Sequence, residues 1–133
     1  MAQATDFAIT GLVQVAQRAT DLDASVAFYR DVLGMKLMGR FDPPGIAFFD
    51  LGGGARLFLE GDASPATLYL RVPDVEAAFE QLRARGLTFE HEPHVIFKDD
   101  QGQFGAAGEE EWMAFFRDPS DNLVGIAARK LPA

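Results

Sequence analysis

The sequence predicts an α+β protein built from two βαβββ modules in one chain, and three observations support this fold class. An acidic helix start recurs, since a shift of 53 positions carries Asp21 onto Asp74. After each of the two helical patterns the apolar residues change from helical spacing to a period of two. Turns rich in Gly, Pro and Asp separate the short strand patterns. We therefore expect one domain, with module one over about 8–62 and module two over about 65–129.

Both predicted helices carry start and stop signals. Asp21 and Asp74 are expected N-caps, because a short acidic side chain accepts hydrogen bonds from the free N–H groups of a first turn. A glycine follows each helix, where a left-handed residue commonly ends a helix. The apolar residues at helical spacing, which we expect to be buried, are Val26, Tyr29, Leu33, Val75, Phe79 and Leu82.

The remaining segments alternate in polarity and predict strands. The expected strands are 12–16, 41, 46–51, 56–60, 67–72, 88–90, 95–98, 112–116 and 123–128. The segment 99–111 has no apolar period and contains three glycines and the run Glu109 to Glu111. We expect a mobile loop there, either a plain connection or a lid over a site.

Composition limits the classes of function. The chain has 133 residues, of which 48% are hydrophobic and 24% charged, the balance of a globular protein. It has no cysteine, which excludes a disulfide scaffold, a thiolate zinc site and a cysteine nucleophile. A formal net charge of -8 argues against nucleic acid and anionic membranes as partners.

The start of the chain bears on location. Residues 1–6 lack the basic region and apolar core of a signal peptide, and no apolar run has the length of a membrane span. We therefore expect a cytoplasmic protein.

Two segments carry a family resemblance. The segment Asp21 to Gly34, DLDASVAFYRDVLG, resembles the first helix of the vicinal oxygen chelate superfamily, which includes glyoxalase I, bleomycin resistance proteins and extradiol dioxygenases. The segment Phe116 to Asn122 resembles the turn before the last strand of that fold, with Asp121 where glycine is usual. Aspartate tolerates the left-handed conformation, so the turn is compatible. The resemblance implies two curved mixed sheets that close around a cup-shaped cavity, with the helices outside.

Alternation within that fold assigns side chains to the cup. The residues expected to face it on three strands are Arg56, Phe58, Glu60, Thr67, Tyr69, Arg71 and Gly125. Phe48 is expected in a thick aromatic core or in the cavity wall, and twelve phenylalanines against two tyrosines indicate an apolar cup. Arg56 and Arg71 are candidates to hold an anionic or carbonyl-bearing ligand, or simply balance the charge of Glu60.

The resemblance also implies where a metal would be bound. Family members place ligands at positions that correspond here to Gln14, Glu60, Thr67 and Gly125. Threonine is a poor ligand and glycine has no side chain, so a catalytic metal is not expected. A divalent metal held weakly by Gln14, Glu60 and substrate oxygens stays open as an alternative.

Four residues have both a functional and a structural interpretation. Glu60 is the candidate acid–base catalyst, or it pairs with Arg56. His94 is a candidate general base, or a surface histidine. Tyr69 and Trp112 are candidates to stack on a flat ligand, or they belong to the core.

Three functions follow as hypotheses. The first is a protein of the glyoxalase and bleomycin resistance type that binds a small, mostly apolar molecule bearing a carbonyl or carboxylate, without a catalytic metal. The second is a lyase, isomerase or epimerase that uses Glu60 as acid–base. The third is an interaction module whose cup is filled by phenylalanines. We expect a homodimer, because the family commonly pairs and the short sheets leave open edges.

Overall fold

The computed structural model describes residues 10–132. Each module is a strand, a helix and three further strands. The elements are β1 (Gln14–Arg18), α1 (Leu22–Ala27), β2 (Leu37–Phe41), β3 (Ile46–Gly52), β4 (Ala55–Glu60), β5 (Leu68–Arg71), α2 (Val75–Ala84), β6 (His94–Asp99), β7 (Glu109–Arg117) and β8 (Leu123–Lys130). The predicted α+β class and the repeat of βαβββ are confirmed.

The eight strands form two separate mixed sheets of four. Sheet one has the order β1-β4-β3-β2 and sheet two the order β5-β8-β7-β6. In each sheet the first strand runs parallel to the last strand of its module, and the other neighbours are antiparallel. The first strand of each module therefore lies at a sheet edge beside the strand that ends the module.

Both helix starts form as the sequence predicts. The Asp21 side chain accepts a hydrogen bond from the Ala24 N–H, and the Asp74 side chain accepts from two N–H groups of α2. Gly34 and Gly86 have φ of +70° and +92°, the left-handed conformation that ends a helix without strain at glycine. Five of the six predicted core positions are buried, and Leu33 is half-buried.

The first helix changes its winding after Ala27. Residues Phe28–Val32 continue it as a π-helical segment, in which the Leu33 N–H donates to the Phe28 carbonyl. The second helix has no such segment and is α-helical over its whole length. The segment carries Phe28 and Tyr29 into the core between the modules.

Several strand boundaries differ from the predicted ones, and one predicted strand does not form. β1 begins at Gln14, two residues later than expected, and β7 begins at Glu109 rather than at Trp112. The segment 88–90 is not a strand and makes only a single bridge, between Phe89 and Phe116. Apolar alternation marks a strand but does not show where its backbone pairing starts, so the ends were misplaced.

The expected mobile loop is shorter and held more firmly than the sequence suggests. Asp99 and Glu109 belong to strands, which leaves residues 100–108 as the connection. The Asp99 carboxylate is almost fully buried and accepts hydrogen bonds from the N–H groups of Gln103 and Phe104, and Arg129 donates to it at 2.9 Å. Burial opposes ionisation, but these donors and the arginine charge hold the pKa of Asp99 below its ordinary value. The connection is therefore built around an ion pair.

A buried polar network joins the two modules. The Tyr29 hydroxyl from the π-helical segment lies 2.7 Å from Asp118 Oδ2 and 2.9 Å from Gln17 Oε1. The amide of Gln17 in turn donates to the Ala66 carbonyl, and Asn122 Nδ2 donates to the Arg18 carbonyl. Burial first, and then the Asp118 charge, raise the pKa of Tyr29 far above its ordinary value. The phenol therefore stays protonated and acts as a permanent donor.

Within residues 10–132 no helix is long and apolar enough to cross a membrane. The N-terminal residues from which we judged the absence of a signal peptide lie outside the described residues.

Candidate functional site

Each sheet has one face against the helices and one open face, which is the face that the fold assigns to the cup. On sheet one, Leu57, Leu59 and Phe49 are fully buried on the helix side. Strand register places two rows on the open face. One row contains Gln14, Arg56 and Asp50, and the next contains Ala16, Phe58, Phe48 and Gly39. The sequence-predicted residues Gln14, Phe48, Arg56 and Phe58 are thus brought together.

A cavity of about 260 Å³ lies on this open face. It is lined by Met38, Gly39, Phe41, Phe48 and Arg56. The Phe48 ring stacks on Phe58 with centroids 4.9 Å apart and planes 13° apart, while Phe41 meets Phe48 edge-on. The result is an aromatic floor on which a flat apolar group can lie.

The charged group of this cavity is held in place. Arg56 Nε donates to Gln14 Oε1 at 2.7 Å, and the Arg56 guanidinium carbon lies 5.8 Å from the Phe48 ring centroid. Within the described part of the chain, no ion pair engages Arg56. Asp50 is the cross-strand neighbour of Arg56 but forms no ion pair with it, so the two terminal N–H₂ groups are available to bind a carboxylate or carbonyl oxygen.

The open face of sheet two carries a second aromatic pair. Tyr69 meets Phe115 edge-on at 5.9 Å, in a cavity of about 230 Å³ that Leu123, His91 and Arg117 also line. Tyr69 is 61% exposed. The cavities on the two open faces share no lining residue, so within one chain the two sheets carry separate cavities.

Glu60 does not occupy the position that the sequence suggested. A shift of 53 positions carries Ala16 onto Tyr69, and these residues pair with Phe58 and Gly125 respectively. Phe58, not Glu60, is therefore the repeat counterpart of Gly125. Since Gln14 pairs with Arg56, Glu60 lies four residues further along β4, about 13 Å from the Gln14 row. Gln14 and Glu60 cannot share one metal ion.

The residues at the family's metal positions do not fit a metal. A side chain at Gly125 would begin 2.6 Å from the Phe115 ring, so this position holds an aromatic ring where a donor would be needed. Phe58 offers no donor atom, and Thr67 is a poor one. No cluster of three or more His, Cys, Asp or Glu among residues 10–132 has the geometry to hold a metal ion.

Replacing Gly125 by alanine is expected to destabilise the fold by about 1–3 kcal/mol through overpacking against Phe115. The φ of Gly125 is not in the left-handed region, so the cost is steric rather than a backbone effect. Urea unfolding of Gly125→Ala, Phe115→Ala and the double variant measures it. The double variant should lose no more stability than Phe115→Ala alone. If Gly125→Ala lowered stability equally with Phe115 and with alanine at position 115, this packing would be contradicted.

Three predicted site residues lie elsewhere. His94 is exposed on β6, opposite Met113, with Nδ1 3.1 Å from the Glu92 carbonyl. Trp112 lies on the helix side of sheet two rather than on the open face, because it shares one face of β7 with buried Ala114 and Phe116. Lys130 lies over its ring. Arg71 lines a cavity between the modules rather than the one that contains Arg56.

Sequence analysis did not single out Met38 and Phe41 as site residues, although both are more than half exposed beside the aromatic floor. The sequence places Phe41 only in a strand. The alternation that marks open-face residues is not visible in β2, because a register shift between Leu37 and Gly39 breaks it.

Comparison with known proteins accounts for this architecture. The model of the Glyoxalase/Bleomycin resistance protein/Dioxygenase superfamily matches residues 11–126. The chain belongs to this superfamily. The match confirms the resemblance seen in the helix that starts at Asp21.

The proteins to which the chain is similar carry different descriptions. The uncharacterized protein YraH of Bacillus subtilis (strain 168) is 30% identical over 132 residues, covering 86% of this chain and 95% of YraH. A lactoylglutathione lyase from Agrobacterium tumefaciens has a TM-score of 0.70 at 23% identity, covering 90% of this chain and 93% of its own. TnmS3, an antibiotic binding protein from Streptomyces sp. CB03234, has a TM-score of 0.71 at 20% identity, covering 96% and 99%. Likeness at these identities shows the fold alone.

Proposed function

We propose that this superfamily member binds a small, mostly apolar molecule bearing a carboxylate or carbonyl, without a catalytic metal. The observation that carries the proposal is the Arg56 guanidinium, fixed by Gln14 at 2.7 Å beside the stacked Phe48 and Phe58 rings. The flat apolar part of the ligand lies on the rings, and its oxygen accepts from Arg56.

The similar structures include both a binding protein and an enzyme, so the fold alone does not choose between these classes. The arrangement of side chains favours binding. The two candidate catalytic groups lie in different sheets, Glu60 on β4 and His94 on β6. An enzymatic alternative, a lyase or isomerase with Glu60 as acid–base, would need substrate to reach the row of Glu60 rather than that of Arg56.

The experiment is native mass spectrometry of the protein recovered from its own host, followed by titration of whatever ligand it retains. Arg56→Gln is expected to weaken binding at least about tenfold, because a charge-assisted hydrogen bond is lost. Arg30→Gln is the matched control, since Arg30 is exposed and paired with Asp31 at 2.8 Å. Unchanged affinity in a folded Arg56→Gln protein would refute the proposed site.

We also propose a homodimer, in which a second copy covers the open faces. Met38, Phe41 and Tyr69 are each more than half exposed on these faces, and the edge strand β6 exposes Val95 and Ile96. Apolar exposure of this kind marks an interaction surface. Light scattering should report twice the chain mass of 14.5 kDa at micromolar concentration. A mass of one chain across that range would contradict the dimer.

A further inference from the structure

A third cavity lies between the modules and shares no lining residue with the cavities on the two open faces. Its volume is about 420 Å³, within the range of small-molecule sites. Its apolar wall includes Leu51 of module one and Leu70, Leu82 and Ala78 of module two. It is therefore separate from the site proposed above.

The internal repeat explains why this cavity exists. The shift of 53 positions that relates the helices carries Gln17 onto Leu70 and Tyr29 onto Leu82. The shift of 67 positions that carries Phe58 onto Gly125 also carries Leu51 onto Asp118. The three leucines are thus the counterparts of Gln17, Tyr29 and Asp118 of the buried polar network.

The two sides of the module interface are therefore filled differently. On one side the Tyr29 ring occupies the space, and its hydroxyl lies within hydrogen-bond distance of the two acceptors Gln17 Oε1 and Asp118 Oδ2. On the other side a smaller leucine, Leu82, stands at the place of the tyrosine, and the space stays open. The open space beside Leu82 is large enough to hold an aromatic ring against its apolar wall.

The polar residues of the cavity select the charge of an occupant. Arg71 and Arg85 both line it, together with one acid, Asp50, and Gln81. Asp50 Oδ1 already accepts from the Gly52 N–H at 2.8 Å, and Arg85 Nη1 donates to the Val32 carbonyl at 2.7 Å. Within the described residues Arg71 makes no ion pair. The excess of positive charge favours an anion.

We propose that this inter-module cavity is a second ligand site, which takes a small aromatic carboxylate. The ring of the ligand packs among Leu51, Leu70 and Leu82, at the place that Tyr29 fills on the other side. Its carboxylate accepts hydrogen bonds from Arg71, with Arg85 adding charge. Because the site bridges the two modules, its occupant also strengthens their contact.

The probe is 3-phenylpropanoate, compared with its neutral amide, and the readouts are calorimetry and amide NMR shifts. We expect saturable binding of the carboxylate, with the largest shifts around Leu70 and Leu82, and a weaker affinity for the amide. Arg71→Gln should weaken carboxylate binding by about tenfold and remove the preference over the amide. Arg30→Gln is the control for loss of one exposed positive charge.

The variant Leu82→Tyr places in the cavity the side chain that its repeat counterpart already has. We expect it to abolish binding while the protein stays folded. Ala78→Leu narrows the same cavity from α2 and serves if the tyrosine variant does not fold. Three outcomes would each overturn this site. They are unchanged binding in a folded filling variant, no binding of the probe to the wild type at about 10 mM, and NMR shifts confined to the Arg56 cavity. The last outcome would leave the proposed function standing.

Discussion

Replacing Asp118 by alanine is expected to lower the free energy of unfolding by about 4 kcal/mol. The carboxylate accepts hydrogen bonds from the Tyr29 hydroxyl, the N–H groups of Ser120 and Asn122, and Asn122 Nδ2. Each buried donor that loses its acceptor costs about 1–3 kcal/mol, and neighbours recover only part of the loss. Chemical denaturation followed by circular dichroism measures the change.

The matched control is three positions away. Asp121 is exposed and left-handed at φ 65°, a conformation that asparagine tolerates, so Asp121→Asn should leave stability nearly unchanged. The stability loss of Asp118→Asn should lie between those of Asp121→Asn and Asp118→Ala, since the asparagine amide keeps one acceptor oxygen. If Asp118→Ala cost no more than Asp121→Asn, the network would not hold the modules together.

Stability is expected to fall steeply above pH 10 because of Tyr29. Its pKa in the folded protein is raised above the ordinary value of 10.0, so the buried phenol stays protonated while the phenol of the unfolded chain ionises. The contribution of Tyr29 to the free energy of unfolding is therefore fully present below pH 10 and declines above it, by up to about 1.4 kcal/mol per pH unit.

The measurement uses a Tyr69→Phe background, in which Tyr29 is the remaining tyrosine of the chain. Phenolate absorbance should then appear together with the unfolding transition rather than before it. Comparison with Tyr29→Phe in the same background separates this effect from other titrating groups, since that variant should lack the extra slope. Phenolate absorbance that develops while the protein is still folded would show that Tyr29 is accessible to hydroxide.

The features that could be predicted from the sequence are those set by neighbouring residues. Asp21 and Asp74 cap helices because their partners are within three positions, and Gly34 and Gly86 end them for the same local reason. The alternation of β4 likewise showed that Arg56 and Phe58 share a face. Family, fold and half of the candidate site follow from such local patterns.

The features that could not be predicted depend on residues far apart in sequence. The position of Glu60 relative to Gln14 is set by the pairing of β1 with β4, which alternation leaves undetermined. The Phe115 ring over Gly125 arises from pairing of β7 with β8, and glycine itself gives no sign of it. Arg71 was grouped with Arg56 because both alternate inward, but strand direction alone does not show which cavity an edge residue reaches.

The π-helical segment Phe28–Val32 marks a difference in length between the two halves of the chain. From cap to terminal glycine, the helix that starts at Asp21 is one residue longer than the helix that starts at Asp74. A π-helical turn is how a helix takes in one additional residue without disturbing its neighbours. The two halves of the coding sequence thus differ here by a single codon, placed after Tyr29, so that the residues before it keep the spacing of Val75, Phe79 and Leu82.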